Sequence, residues 1–130
     1  MQKQAGFTVT EVLIAIVLAS IIGLFIFNQW QYANASQRDT ERKTAINAIH
    51  AYLERTYYPA NQNYPVALNE AFLKALNEDE TKDPAGRVIG SAQSDLRYEP
   101  FGCDGMSCSG YTLRANLEKE DDFVKQSPAR

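Results

Sequence analysis

The amino-acid sequence predicts an α+β fold in which one long N-terminal helix packs on a small antiparallel β-sheet. Three observations predict it. No proline occurs between Phe7 and Pro59, and the first part of that interval is almost purely apolar. The second part carries Ile46, Ile49, Leu53 and Tyr57 at helical spacing. Near the C-terminus, Tyr111, Leu113, Ala115 and Leu117 alternate with Thr112, Arg114 and Asn116, the period-two pattern of a half-buried strand. At 130 residues there is room for one compact domain and one long element.

The apolar run comes first. From Val12 to Phe27 the chain is uncharged, and only Ser20 and Gly23 depart from strongly apolar residues or alanine. Counted from Phe7, a helix of about 21 residues spans roughly 31 Å, the thickness of a bilayer core. Trp30 and Tyr32 follow, where aromatic rings favour the headgroup level. Lys3 precedes the run and the next basic residue is Arg38, an asymmetry that puts the N-terminus in the cytoplasm and the remainder outside. Glu11 lies inside the window, where an ionised carboxylate costs roughly 2.5–3.5 kcal/mol or more. Cleavage after Gly6 would give Phe7 a free amine at a helix N-terminus, about one turn from Glu11, and so supply the missing positive charge.

Past the apolar run, the simplest reading is one continuous helix from Phe7 to about Tyr57. Asp39, Glu41, Arg42, Lys43, Glu54 and Arg55 are expected on the faces away from its apolar stripe. Ser20, Gly23 and Asn28 are its weak points, and Gly23 to Asn28 is the segment expected to unwind if any does. Tyr57 to Pro65 reads as a helix stop and a loop. A second helix is expected at Val66 to Asn77, where Leu68, Phe72, Leu73 and Leu76 form one face. Asp83-Pro84-Ala85-Gly86 is a turn signal. Strands are expected at Leu96 to Glu99 and Tyr111 to Leu117, joined by an irregular hairpin loop at Phe101 to Gly110, with a short strand near Arg87 to Ile89 completing the sheet. From Glu118 the chain is polar apart from Phe123 and Val124, and its end is expected to fray.

Charge excludes one function class. Lys3 and Glu11 are the only charged residues before Asn28, so the remainder keeps the net charge of −3, a mildly acidic surface that gives no support to nucleic-acid binding. Cys103 and Cys108 are poor zinc ligands, because a site needs about four and His50 is the only other soft candidate. A disulfide fits better if this region lies outside the cytoplasm, as the topology above places it. So short a loop would gain only about 2 kcal/mol on the chain-entropy model. Neither His50 nor Ser20, Ser107 or Ser109 belongs to a constellation suited to nucleophilic catalysis. No enzymatic activity and no cofactor are expected. The tyrosines Tyr57, Tyr58, Tyr64, Tyr98 and Tyr111 are expected to pack the sheet on the helix.

Gly6-Phe7-Thr8-Val9-Thr10-Glu11, with a short charged leader before it and a long apolar run after it, resembles the processing motif of type IV prepilins and type II secretion pseudopilins. The resemblance implies removal of a leader between Gly6 and Phe7 by a prepilin peptidase, N-methylation of Phe7, and pairing of Glu11 with the Phe7 amine of a neighbouring copy. It also implies a pilin-like fold organised as a leader at 1–6, a membrane and filament-core helix at 7–28, an amphipathic helix half at 29–57, and a small globular region at 58–130 with a C-terminal disulfide loop. The implied partners are other copies of the chain in a helical homopolymer, the peptidase, and an assembly platform with its motor. The implied location is the cytoplasmic membrane before assembly and an extracellular filament after it. Related pseudopilins bind calcium, which makes Asp95, Glu99, Asp104, Asp121 and Asp122 candidate ligands, although their spacing lacks the regularity of a dedicated loop and a solvated acidic surface is the preferred reading. The small cysteine loop is similar to that of pilins, whereas the Asp83-Pro84-x-Gly86 turn is similar to that of major pseudopilins.

Two readings compete within the filament class, a surface pilus for adhesion, motility or DNA uptake and a secretion pseudopilus. From another class comes an exported monomeric binding domain, released by cleavage after Ala33-Asn34-Ala35.

Overall fold

The computed structural model describes residues 6–129. Met1 to Ala5, most of the expected leader, lie outside the described residues. The chain divides into two compact units between Asn34 and Ala35. Helix α1 (Val9–Tyr52) contributes to both.

In the first unit every described residue is exposed in the isolated chain, including the whole apolar run. The polar side chains within and at the end of that run are satisfied locally. Ser20 Oγ donates to the Ile16 carbonyl at 2.8 Å, and Asn28 Nδ2 donates to the Leu24 carbonyl at 2.9 Å. Such back-bonding matters in a lipid environment, which offers no alternative partner. Gly23 to Asn28, the expected weak segment, is helical throughout.

The second unit is built on one stripe of α1. Ala35, Asp39, Arg42, Ala45, Ile46 and Ile49 are its buried residues, and Leu53 continues the line. Steps of mostly three and four residues keep them on one face. The helix does not stop at Tyr57 as expected. A π-helical turn, Leu53–Tyr57, leads into α2 (Tyr58–Asn61), with the Tyr58 N–H donating to the Leu53 carbonyl. Pro59 explains the turn: it has no N–H to donate and its ring would press on the carbonyl four residues back, so a wider turn ahead of it carries the helix through. Gln62, in the left-handed conformation at φ 57°, ends α2.

The expected second helix shrinks to α3 (Glu70–Lys74), because Asn69 caps it by accepting the Phe72 N–H at 2.9 Å. A 3-10 turn follows at Glu78–Thr81.

The sheet has four strands, β1 (Tyr64–Pro65), β2 (Leu96–Asp104), β3 (Ser107–Ala115) and β4 (Phe123–Gln126). All pairs are antiparallel and β3 is central, with β2 along one edge. β1, opposite Ser107 and Cys108, and β4, opposite Thr112 to Ala115, share its other edge. Three expectations are corrected here. Phe101 to Gly110 is not an irregular loop: the ladder continues to Asp104↔Ser107 and closes over Gly105 and Met106. Gly105 has φ 60° and Met106 has no positive φ, the pattern of a two-residue hairpin turn whose twist matches its strands. Residues 87–89 form no strand, only a single bridge, Lys82↔Val88. The polar segment after Glu118, read without a strand, contributes β4 to the sheet.

Ile46, Ile49 and Leu53 meet Tyr64, Phe72, Ile89, Leu96, Tyr111, Leu113 and Ala115 in a single core. The tyrosines pack as expected. Tyr64 and Tyr111 are buried edge-to-face with centroids 4.8 Å apart, and Tyr98 stacks on Tyr111 at 5.7 Å. Their phenols reach back across the domain. Tyr111 and Tyr64 both donate to Glu54 Oε1, at 2.8 and 3.0 Å, and Tyr98 donates to the Pro65 carbonyl at 2.6 Å.

Above the apolar part of the stripe lies an ionic network. Asp39 and Arg42, expected on outer faces, are 3% and 7% exposed. Asp39 accepts the backbone N–H groups of Glu118 and Lys119 at 2.8 and 2.9 Å, and Arg42 Nη1 at 2.7 Å. Arg42 also donates to Glu118 Oε1 at 2.9 Å and to Asp95 Oδ2 at 3.0 Å. Asp95 meets Arg87, which in turn meets Asp83 at 2.7 Å. Hydrogen bonds from Arg38 and then Arg42 push the Glu118 carboxyl down to about 2. Burial opposes the charge on Asp39, yet the N–H groups of Glu118 and Lys119 together with Arg42 outweigh it and hold its carboxyl below the usual carboxylate range.

Two outcomes follow from this packing. Ile49→Ala should destabilise the domain by about 2–4 kcal/mol, read from urea unfolding of the full chain in detergent, because Ile49 is fully buried. The depressed carboxyls set the sign of the pH dependence: their stabilisation is full above about 4.5, the ordinary value for Glu118, and is lost as pH falls toward about 2. The urea midpoint should therefore be flat from neutral pH down to that range and fall below it, and Asp39→Asn should blunt the fall.

Candidate processing and assembly site

Gly6, Phe7 and Thr8 precede α1 as non-helical, exposed backbone, and Phe7 is 86% exposed. Nothing lies within 4 Å of where a Cβ on Gly6 would stand. Gly6 and Phe7, the residues flanking the expected cleavage point, are thus both exposed.

Thr8 is the residue at which the helix begins, and its side chain and that of Glu11 serve each other. The Glu11 N–H donates to Thr8 Oγ1 at 3.3 Å, while Glu11 Oε2 accepts both the Thr8 N–H and the Thr8 hydroxyl at 2.9 Å. Thr10 Oγ1 lies 3.1 Å from Thr8 Oγ1. The arrangement is a reciprocal capping box, in which threonine and the glutamate three residues on satisfy N–H groups that the first helical turn leaves unpaired. The carboxylate also sits at the positive end of the helix. Glu11 is therefore not stranded within the single chain, as its position alone suggested. The Thr-x-x-Glu spacing before an apolar run was the sequence signal for this cap.

The other residues singled out by sequence fall in separate places. Cys103 and Cys108 form a disulfide between directly opposed positions of β2 and β3, with Cα atoms 3.9 Å apart. Cys103 is exposed and Cys108 buried, beside Tyr64 of β1 in the ladder. Beyond them the hairpin tip presents Met106, 84% exposed.

The five carboxylates considered for calcium are not assembled. Asp95 is held by Arg42 and Arg87, Asp122 lies 3.4 Å from Arg114, and Glu99 and Asp104 stand opposite Thr112 and Ser107 in the hairpin. Asp121 is exposed ahead of β4. Among the described residues no group of three or more His, Cys, Asp or Glu is placed to hold a metal. His50 packs edge-on against Tyr111, with centroids 6.1 Å apart, and Ser109 Oγ donates to the Phe101 carbonyl. A surface hollow of about 380 Å³ is lined by Glu41, Asp79, Lys82, Asp83, Pro84 and Gly86. Asp83 turns away from it into the Ala85 and Arg87 N–H groups.

The helix carrying the capping box is long and apolar enough, by length and composition, to cross a membrane. No curated protein and no solved structure matches the chain. Residues 1–27 match the Prokaryotic N-terminal methylation motif. That motif is typical of type IV pilins and pseudopilins, and the long helix packed on a small antiparallel sheet is a pilin-like architecture.

Proposed function

We propose that this chain is a structural subunit of a type IV pilus, processed between Gly6 and Phe7 and polymerised through its N-terminal helix. The observation that carries the proposal is a helix exposed over its whole apolar length, capped one turn after the proposed cleavage point by a carboxylate. In this reading the precursor sits in the cytoplasmic membrane with the globular domain outside. A prepilin peptidase removes the leader, Phe7 becomes a methylated N-terminal amine, and an assembly platform with a separate motor draws subunits out of the bilayer.

Polymerisation replaces lipid contact along Val12 to Phe27 with contact between copies, a gain of packing and lipid entropy rather than of hydrophobic transfer. Glu11 sets the register. Both Thr8 bonds converge on Oε2, so a neighbour's Phe7 amine meets Glu11 at Oε1 without dismantling the cap. The pairing joins a cation and a carboxylate that would each be costly alone in an apolar filament core.

A secretion pseudopilus is the second reading, favoured by the Asp83 turn, in which Oδ1 accepts the Ala85 and Arg87 N–H groups at 3.0 and 2.9 Å. Electron microscopy of the surface of cells with and without the protein separates the two, since only a pilus extends beyond the envelope. Release as a monomeric domain after Ala35 would instead give a mature chain starting at Ser36.

Co-expression with a prepilin peptidase should yield a mature N-terminus at Phe7, and replacing Gly6 by a bulky residue should abolish the shift in mass. A normally shortened Gly6 variant would reject the cleavage assignment. Glu11→Ala should leave cleavage intact and lower filament yield at least about tenfold, the scale of one lost charge pair; unchanged yield removes the register role. Purified filaments should give no free-thiol labelling at Cys103 or Cys108, and labelling of either would refute an exported, oxidised domain.

A further inference from the structure

β4 is attached to the domain in an unusual way. None of its residues is fully buried, and Phe123 alone reaches the edge of the core. The segment leading to it, 116–122, bears one apolar residue that packs on the core, Leu117. Its firm contacts are polar. At one end Asp39 takes the Glu118 and Lys119 N–H groups, and at the other Ser127 closes on Tyr111, with its N–H donating to the Tyr111 carbonyl at 3.0 Å and its Oγ accepting the Tyr111 N–H at 3.2 Å. Gly110 makes room on both sides: a Cβ there would collide with Phe101 Cζ on β2 and come within 2.7 Å of Ser127 Oγ. Between the two ends run four strand pairs and the ion pairs Lys43–Glu120 at 2.6 Å and Arg114–Asp122 at 3.4 Å.

An element that buries little apolar surface and hangs on a few polar contacts opens at lower free energy than the core around it. Its two attachments also differ in kind. Ser127 uses neutral hydrogen bonds, each of modest net worth. Asp39 is a buried carboxylate whose charge is met by two peptide N–H groups from the segment and by Arg42 from its own helix, so losing the segment leaves it underpaired in a dry site. Docking of β4 is therefore concentrated at its α1 end, where Asp39 takes the strap's backbone and Arg38, Arg42 and Lys43 hold its carboxylates.

We propose that residues 117–127 form a strap that docks and undocks as a unit, with Asp39 as its clasp. Undocking leaves the β2–β3 hairpin and the helix stripe in place and bares the β3 edge from Tyr111 to Ala115, since β1 covers only Ser107 and Cys108. The charged groups around the clasp are Arg38, Arg42 and Lys43 of α1, Asp95 and Arg87 of the preceding loop, and Glu118 and Glu120 of the strap itself. Arg38 and Arg42 both hold Glu118, and Lys43 holds Glu120 at 2.6 Å, so the clasp tightens in the ionised state and loosens when its carboxylates are protonated.

Hydrogen exchange of the full chain in detergent at neutral pH, with low urea added stepwise, tests the strap directly in the native sequence. The parity of Tyr111 assigns the Leu113 and Ala115 amides to β4, and those of Thr112 and Arg114 to β2. The strap amides of Phe123, Lys125 and Ser127 together with Leu113 and Ala115 should exchange at least about tenfold faster than Arg97, Glu99, Thr112 and Arg114, through an opening with weak urea dependence. Equal rates and equal urea dependence for both sets would overturn the proposal. Asp39→Asn, which keeps one acceptor and loses the charge, should speed the strap set by about tenfold more, still through an opening of weak urea dependence. Ser127→Ala, which removes the acceptor of the Tyr111 N–H, should speed the strap set more modestly from the other end, and Lys74→Ala should do nothing. Strap amides that exchange no faster in Asp39→Asn would reject the clasp.

Discussion

One stripe of α1, running through Ala35, Asp39, Arg42, Ile46, Ile49 and Leu53, carries both the apolar core and the buried ionic network of the second unit. Its lower part is apolar and collects the tyrosines and the inner face of the sheet. Its upper part is charged, and the same geometry that buries Ile46 buries Arg42 one turn earlier. A buried guanidinium is tolerable only when it is matched, and three carboxylates from three parts of the chain, Asp39, Asp95 and Glu118, converge on it. The loop at 83–95 and the strand connection at 116–122 thus take their positions from one side chain, just as the sheet takes its position from the isoleucines.

The sequence made some of this legible and hid the rest for identifiable reasons. Ile46, Ile49 and Leu53 announced a helix face, and the alternation at Tyr111 to Ala115 announced the central strand, because burial on one side leaves a period in the sequence. Asp39 and Arg42 were assigned to the outer faces on charge alone, although they fall in register with the apolar stripe. Position outweighed polarity there, since partners 53 to 80 residues away satisfied the charge. Such partners leave no local trace. The Gly- and Cys-rich stretch looked like a loop because glycine is a poor strand residue, but the disulfide and the Gly105 turn hold it in the ladder. β4 was missed because an edge strand with half-exposed residues has no apolar run to advertise it.

At the N-terminal site the pattern was easier to read than its physics. Gly6, Phe7 and Glu11 stood out by spacing before an apolar run, and the match over residues 1–27 rests on the same stretch. The sequence argument treated the carboxylate as lacking any partner in its own chain. Thr8 supplies one, so the first turn is closed before any second copy arrives. A capped helix end keeps its shape in the monomer, and what a neighbour adds is a charge rather than order.

The cysteine bridge has a consequence for the sequence of events during folding. Its two residues are only five apart and are brought face to face by a two-residue turn, a closure that needs no help from the helix. Hairpins form within microseconds whereas thiol oxidation takes seconds or longer, so the turn is in equilibrium long before the bridge becomes covalent. Contacts such as Arg38–Glu118, 80 residues apart, must wait for the chain to compact. Oxidation can therefore stiffen the exposed tip of the sheet independently of the slower assembly around the arginine, and an oxidase would meet its substrate as a short, local, accessible loop.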